Sequence, residues 1–237
     1  MKKLLESGIP RYEKKYLISA AQAEEIKFYL EELCYRDKNI GKDNKYNIRS
    51  LYFDDYLHSS YYDKENGVDP RSKFRIRIYN CENRSINLEE KIKINGKILK
   101  KRALISEERF YNILNDNAEK IDFPGEAPLF NRFMTKYHTS ALAPSVIVDY
   151  DREPFVYPDG DIRITFDTNI SFSDDFAGFF DKKLFLQPIL PVGMQLLEVK
   201  YTEFMPEFIH RQLNQFNLRE CTFSKFYLCE KYKRMGE

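Results

Sequence analysis

The chain has 237 residues, 43% of them hydrophobic and 32% charged, which is material for one large domain or two small ones with a full core. Its 38 lysines and arginines nearly cancel its 37 acids, leaving a formal net charge of +1 and excluding a surface built throughout to attract polyanions. If the cations have a task, they must be gathered locally.

In chain order, "MKKLLESGIP" has two lysines but no apolar run behind them, so it does not read as a secretory signal. No later stretch approaches the ~20 apolar residues of a membrane span, and a cytoplasmic protein is expected. "RYEKKYLI", Arg11 to Ile18, alternates as a strand does. Ser19 follows as an N-cap for "AAQAEEIKFYLEELC", in which Ile26, Tyr29, Leu30 and Leu33 repeat at helical spacing. "YNIRSLYFDD", Tyr46 to Asp55, alternates again, and so does "RSKFRIRIY", Arg71 to Tyr79, after the turn-like "NGVDP".

"INLEEKIKINGKILKKRALI" reads as a hairpin around Asn95-Gly96, the dipeptide best suited to a type I′ turn. "SEERFYNIL" is a short helix capped by Ser106, and "APLFNRFMTKYHTSAL", Ala127 to Leu142, is a longer one of looser periodicity. Four strand candidates follow: "SVIVDYDREPFV", "DIRITFDTNISF", "LFLQPI" and "MQLLEVKYT". Helices after Pro206 and around "SKFYLCEKYKR" complete the chain. With no repeat, low-complexity tract or linker, residues 1–237 are expected to form one α+β domain on a large, closed antiparallel sheet.

Cys34, Cys81, Cys221 and Cys229 are widely spaced, form no C-x-x-C, and accompany only three histidines. Neither a zinc site nor a disulfide framework is indicated, and reduced thiols are expected.

Sorting charges by strand face gives a repeated pattern. Arg71, Lys73, Arg75 and Arg77 share one face, with Phe74, Ile76 and Ile78 opposite. Arg11, Glu13 and Lys15 share a face, as do Glu89, Lys91 and Lys93, then Lys100 and Arg102. Arg163, Thr165 and Asp167 align, and so do Glu198, Lys200 and Thr202. One such strand is ordinarily amphipathic with a solvated face, but surface strands usually mix signs more than these six do. In a closed sheet the charged faces point either all outward, as a basic coat, or all inward. An inward set cannot form a dry core, because unpaired buried cations are too costly, so it requires a wet interior that takes a polyanion. Glu13, Glu89 and Glu198 would then be either salt-bridge partners or holders of a divalent metal. The 17 tyrosines and 19 phenylalanines form no spaced aromatic-basic array, so nucleic acid is not an expected partner.

"RYEKKYLI", "YNIRSLYFDD", "KFRIRIY", "LEEKIK…KKR", "YDREPF…DIRITFD", "LLEVKY" and "FSKF" follow the order found in the VTC domain, the catalytic domain of the vacuolar transporter chaperone polyphosphate polymerase. Over Arg11 to Lys225 the chain resembles that family, in a bacterial-type stand-alone form. The resemblance implies the triphosphate tunnel fold, an antiparallel eight-stranded β-barrel open at both ends with helices packed outside, and so selects the inward option. It implies that Lys15, Arg75, Arg77, Lys91, Lys100, Arg152, Arg163, Lys200 and Lys225 grip a triphosphate or polyphosphate, with Ser224 beside the last lysine. Arg71, Lys73 and Arg102 share those faces, the first two nearer the tunnel mouth. In "ILKKR" the tunnel lysine is Lys100 or Lys101, and the face shared with Arg102 favours Lys100.

Glu198 resembles the glutamate that holds the catalytic Mn2+ or Mg2+, and Glu13 and Glu89 sit where further acids occur. The first strand reads Arg11-x-Glu13-x-Lys15 rather than E-x-E-x-K, which resembles the VTC branch more than the CYTH-type hydrolases and cyclases. The implied activity is transfer of the ATP γ-phosphate to inorganic polyphosphate. The alternatives are a triphosphatase of the same fold and a non-catalytic polyphosphate-binding module. An unidentified membrane partner that receives the product is compatible with this reading.

Overall fold

The computed structural model describes residues 7–37, 40–41, 44–117, 128–157 and 159–236. Lys2 and Lys3, which entered the reading of the N-terminus, lie outside these, as does Ala127. The strands are β1 (Ser7–Ser19), β2 (Tyr35–Arg36), β3 (Tyr46–Asp54), β4 (Arg71–Tyr79), β5 (Glu82–Ile94), β6 (Lys97–Ile105), β7 (Ala143–Tyr157), β8 (Ile162–Ser173), β9 (Gln187–Pro188) and β10 (Met194–Tyr201). The helices are α1 (Ala20–Leu33), α2 (Ser59–Glu65), α3 (Glu107–Leu114), α4 (Pro128–Ser140), α5 (Glu207–Gln215) and α6 (Lys225–Gly236).

The strands pair in the order β2-β7-β3-β4-β5-β6-β1-β10-β8-β9, and an additional β7–β8 pairing closes eight of them into an antiparallel barrel. The expected α+β closed barrel with helices outside is therefore the fold of this chain. Local chemistry accounts for its corners. Asn95 and Gly96 have φ of 50° and 76°, the positive values that a type I′ hairpin needs at both turn positions. Ser19 ends β1 and begins α1 through a capping box, its hydroxyl accepting from the Gln22 amide while Gln22 accepts from the Ser19 amide.

Two apolar cores lie outside the barrel wall. Phe74, Ile76, Ile78 and Leu88 pack under α3 and α4, which contribute Phe110, Phe130, Phe133 and Met134. Ile164, Phe166, Leu197 and Val199 pack under α1 and α5, with Ile26, Leu30, Ile209 and Leu213. The buried face of α1 is Ala23, Ile26 and Leu30, whereas Tyr29 and Leu33 of the expected face remain exposed.

A third core lies inside. At Asn169 (φ 55°) the β7–β8 register shifts, so the face carrying Arg163, Thr165 and Asp167 continues beyond it as Ile170 and Phe172. These residues meet Val146, Val148, Leu196 and Tyr52, and α6 adds Phe226 and Cys229. The interior is thus polar over one part of its length and lined by an apolar plug over the part where α6 docks.

Two elements escape sequence periodicity because they are short: α2, of seven residues, and β2, of two. The expected strand "LFLQPI" shrinks to Gln187–Pro188, since Pro188 lacks an amide hydrogen for a ladder. No helix among the described residues is long and apolar enough to cross a membrane.

Candidate functional site

Because side chains alternate along each strand, the charged faces found in the sequence all turn into the barrel. Among the described residues, fourteen lysines and arginines line a cavity of about 670 Å³ against three glutamates, Glu13, Glu198 and Glu220. A chain of net charge +1 has gathered more than a third of its 38 cations into one interior space. Of the residues named from the sequence, Lys15, Arg71, Lys73, Arg75, Arg77, Lys91, Lys100, Arg152, Arg163, Lys200, Ser224 and Lys225 line it, with Glu13 and Glu198. Lys100 lines it and Lys101 does not. Arg102 and Glu89 do not line it either.

The acids are placed by strand register. Glu89 lies directly across from Arg75, Glu13 from Lys200, Glu198 from Lys15, and Asp167 from Arg152. Each inward carboxylate is therefore set opposite a cation on the next strand, the sheet's most direct side-chain contact. Glu89 is fully buried behind the cavity wall. Its carboxylate accepts from Arg75 at 2.8 and 2.6 Å and from Lys100 at 3.2 Å, with Arg77 at 3.9 Å. Of the two roles open to Glu89, the geometry is that of a salt-bridge partner, with no oxygen left facing the cavity for a metal. Burial alone would raise its pKa, but Arg75, Arg77 and Lys100 outweigh it and hold the carboxyl far below the usual range.

Arg75 is braced on its other side by Tyr52, whose hydroxyl oxygen accepts at 2.8 Å. Arg77 donates to Ser50 at 3.1 Å and to the Tyr150 hydroxyl at 3.3 Å. Arg152 makes a two-pronged contact with Asp167 at 2.6 and 2.7 Å and reaches Glu198 at 3.3 Å. Lys225 meets Asp167 at 2.6 Å. Asp167 went unassigned in the sequence, although it was visible on the face of Arg163 and Thr165. Arg163 itself is held by Asp37 and by the Tyr46 hydroxyl.

Glu13 and Glu198 are the two acids that both face the cavity and stand side by side on β1 and β10. Lys91 approaches Glu13 at 3.0 Å and Lys200 approaches Glu198 at 3.2 Å, while Lys15 sits 3.6 Å from both acids. Burial raises the pKa of Glu198, but Lys200, Lys15, Lys225 and Arg152 more than reverse this and keep it ionised well below the usual range. Glu13 is lowered as well, by Lys91, Lys200 and Lys15 against burial and the repulsion of Glu198. The cations split in response. Lys15 is raised, because Glu198 and Glu13 exceed its burial cost. For Lys100 burial wins over Glu89 and brings it down to about 8.

No group of three or more His, Cys, Asp or Glu able to hold a metal occurs among the described residues. Two adjacent carboxylates fit instead an ion of the Mg2+ type, held by one or two carboxylates and completed by substrate oxygens and water. Glu13 and Glu198 are the residues present for that arrangement.

A family model described as "VTC domain" matches residues 10–232. No curated protein matches the sequence. Among solved structures, a candidate adenylyl cyclase from Hippeastrum, described as having a dominant triphosphatase activity, is similar over 97% of each chain, with a TM-score of 0.57 and 14% identity. A candidate adenylate cyclase from Bacillus halodurans is similar over 90% of this chain and 95% of its own, with a TM-score of 0.51 and 15% identity. At these identities the two structures speak for the barrel fold.

Proposed function

The chain belongs to the VTC domain family, and from that premise and the cavity's charge pattern we propose that it transfers the γ-phosphoryl group of ATP to the end of a polyphosphate chain. A terminal oxygen of the chain attacks the γ-phosphorus, the bond to the β,γ-bridging oxygen breaks, and ADP leaves with that oxygen. Mn2+ or Mg2+ held by Glu198 and Glu13 together with phosphate oxygens would polarise the phosphate and neutralise charge on the leaving group.

The observation that carries this reading is the cavity's inventory: fourteen cations, and no histidine. Both central acids, Glu13 and Glu198, are bound up in ion pairs. Phosphoryl transfer asks for positioning and charge neutralisation more than for a proton acceptor, and a phosphate oxygen that attacks is already anionic. Lys15, Lys91 and Lys200 supply compact charges, and Arg77 and Arg152 supply planar donors that can orient oxygens in line. Arg75, with three of its five donors engaged by Glu89 and Tyr52, contributes its field and the rigidity of the wall.

A second reading, a triphosphatase of the same fold, is favoured by the apolar plug at α6, which narrows the path along which a growing chain would leave. Incubation of the purified protein with ATP and Mn2+ separates the two. ADP with a ladder of polyphosphates supports transfer, and orthophosphate as the sole phosphate product refutes it. Glu198→Ala is expected to lower turnover by about 100-fold or more, the scale of losing a group that manages transition-state charge. Tight tripolyphosphate binding that survives Glu198→Ala, with no turnover in either protein, would instead make the domain a binding module.

A further inference from the structure

Helix α1 carries more apolar surface than its contact with the barrel uses. Ala23, Ile26 and Leu30 are buried, while on the outer side Phe28 is 66% exposed and Tyr29 and Leu33 are each 40% exposed. Tyr35, in β2 just beyond the helix, is 70% exposed. The Phe28 and Tyr29 ring centres lie 5.9 Å apart, and Tyr29 continues the patch onto α5, 6.2 Å from the ring centre of Phe216. At ~200 Å² per large side chain, the four exposed residues leave about 400 Å² of largely apolar surface in water, the size of patch that often marks a binding surface.

The charges on that side of α1 are mostly of one sign. Glu24, Glu25, Glu31 and Glu32 are all exposed. Glu24 is paired with Lys27 at 2.9 Å and Glu31 with Arg36 at 2.6 Å, and Lys27 also holds Glu153 at 2.7 Å. Glu25 and Glu32 have no ion-pair partner among the described residues. They stand seven residues apart in the sequence, about 10 Å along the helix, with Phe28 and Tyr29 between them at the three- and four-residue spacings that share a face. The stripe therefore runs acid, two rings, acid.

A second copy of this chain fits that stripe poorly. It would bring the same acids to the seam, and about 400 Å² is half of the ~800 Å² per partner of a stable interface. An anionic membrane or a nucleic acid is repelled by the same glutamates. A single helix of opposite charge fits in both area and sign, because helices dock through anchors at i, i+3, i+4 and i+7. We propose that the outer face of α1, with Phe216 of α5 at its edge, docks a basic amphipathic helix of a partner protein, in which apolar side chains are flanked by lysines or arginines seven residues apart. Phe28, Tyr29, Glu25, Glu32 and Phe216 do not line the cavity, so the docking site stands whether or not the cavity holds phosphate.

The probe is a fluorescein-labelled helical peptide of three heptads, with lysine at the first position of each, leucine at the fourth and fifth, and alanine and glutamine elsewhere. A second version carries glutamate in place of each lysine. Anisotropy titrations compare the wild type, the double variant Phe28→Ser with Tyr29→Ser, and the double variant Glu25→Lys with Glu32→Lys, and circular dichroism checks the fold of each. Affinity for the lysine peptide is expected to fall at least tenfold in both variants, the first losing apolar contact and the second meeting like charge. The charge-reversed variant is expected to bind the glutamate peptide at least tenfold more tightly than the wild type does. A wild type that does not bind the lysine peptide, or variants that bind it as the wild type does, would overturn the proposal. So would a wild-type dimer in sedimentation velocity that Phe28→Ser with Tyr29→Ser abolishes, because the patch would then belong to a second copy.

Discussion

Replacing Glu89 by glutamine separates a scaffold role from a metal-binding one. The side chain is fully buried, with Arg75 donating at 2.8 and 2.6 Å, Lys100 at 3.2 Å and Arg77 at 3.9 Å. Glutamine preserves shape and one acceptor but removes the charge that keeps three cations together. Removing one partner of a buried ion pair costs about 3–5 kcal/mol. With slopes of about 1–3 kcal/mol/M, the urea midpoint should drop by at least about 1 M at neutral pH.

The loss should also depend on pH. Glu89 has a folded pKa depressed below its unfolded value, so between the two the unfolded chain binds more protons and stability rises with pH. Its contribution is complete above about pH 4.3 and fades as pH falls toward the folded pKa, so the wild type and Glu89→Gln should converge in acid. Tripolyphosphate at 100 times its Kd should return about 2.7 kcal/mol to either protein, because it binds the folded state alone. A stability loss below about 1 kcal/mol, together with a selective loss of divalent-ion affinity, would refute the reasoning and return Glu89 to the metal site.

Other expectations follow from the same geometry. Arg75→Glu places a carboxylate across from Glu89, leaves both acids short of cations, and is expected to cost at least the 3–5 kcal/mol of a broken buried pair, read from thermal or urea melts. Metal-free tripolyphosphate affinity at low salt should weaken as pH rises through about 8, where Lys100 loses its proton, and calorimetry across that range checks it. Over the same rise the empty protein should gain stability, since Lys73 titrates near 7 when folded and near 10.4 when unfolded, so the unfolded chain binds more protons between them. Phe226→Ala opens the plug beneath Tyr52 and Lys73 and should destabilise by about 3–5 kcal/mol, measured by urea unfolding.

Much of the barrel was legible because period-two alternation is a property of each strand by itself. Arg71, Lys73, Arg75 and Arg77 could be assigned to one face from β4 alone, and Asn95-Gly96 announced its hairpin. What a single strand cannot disclose is register, and the site is written in register. That Arg75 faces Glu89 and Arg152 faces Asp167 depends on how neighbouring strands slide, which the turns and the bulge at Asn169 decide. Hence Asp167 was visible as a charge without a role, and the contacts of Arg75 with Glu89 and Tyr52 were not visible from its own strand. Lys64 was missed for a different reason: α2 is too short to show a helical repeat, so nothing local tied that lysine to a barrel built from other segments. The alternation of strands specifies how much positive charge enters the barrel, and the pairing of strands specifies which of it is neutralised. Lys73 is on a par with Arg75 by the first criterion and its opposite by the second. The unneutralised remainder is where an anionic ligand gains most, so the residues hardest to place from sequence are the ones that bear most directly on what the cavity holds.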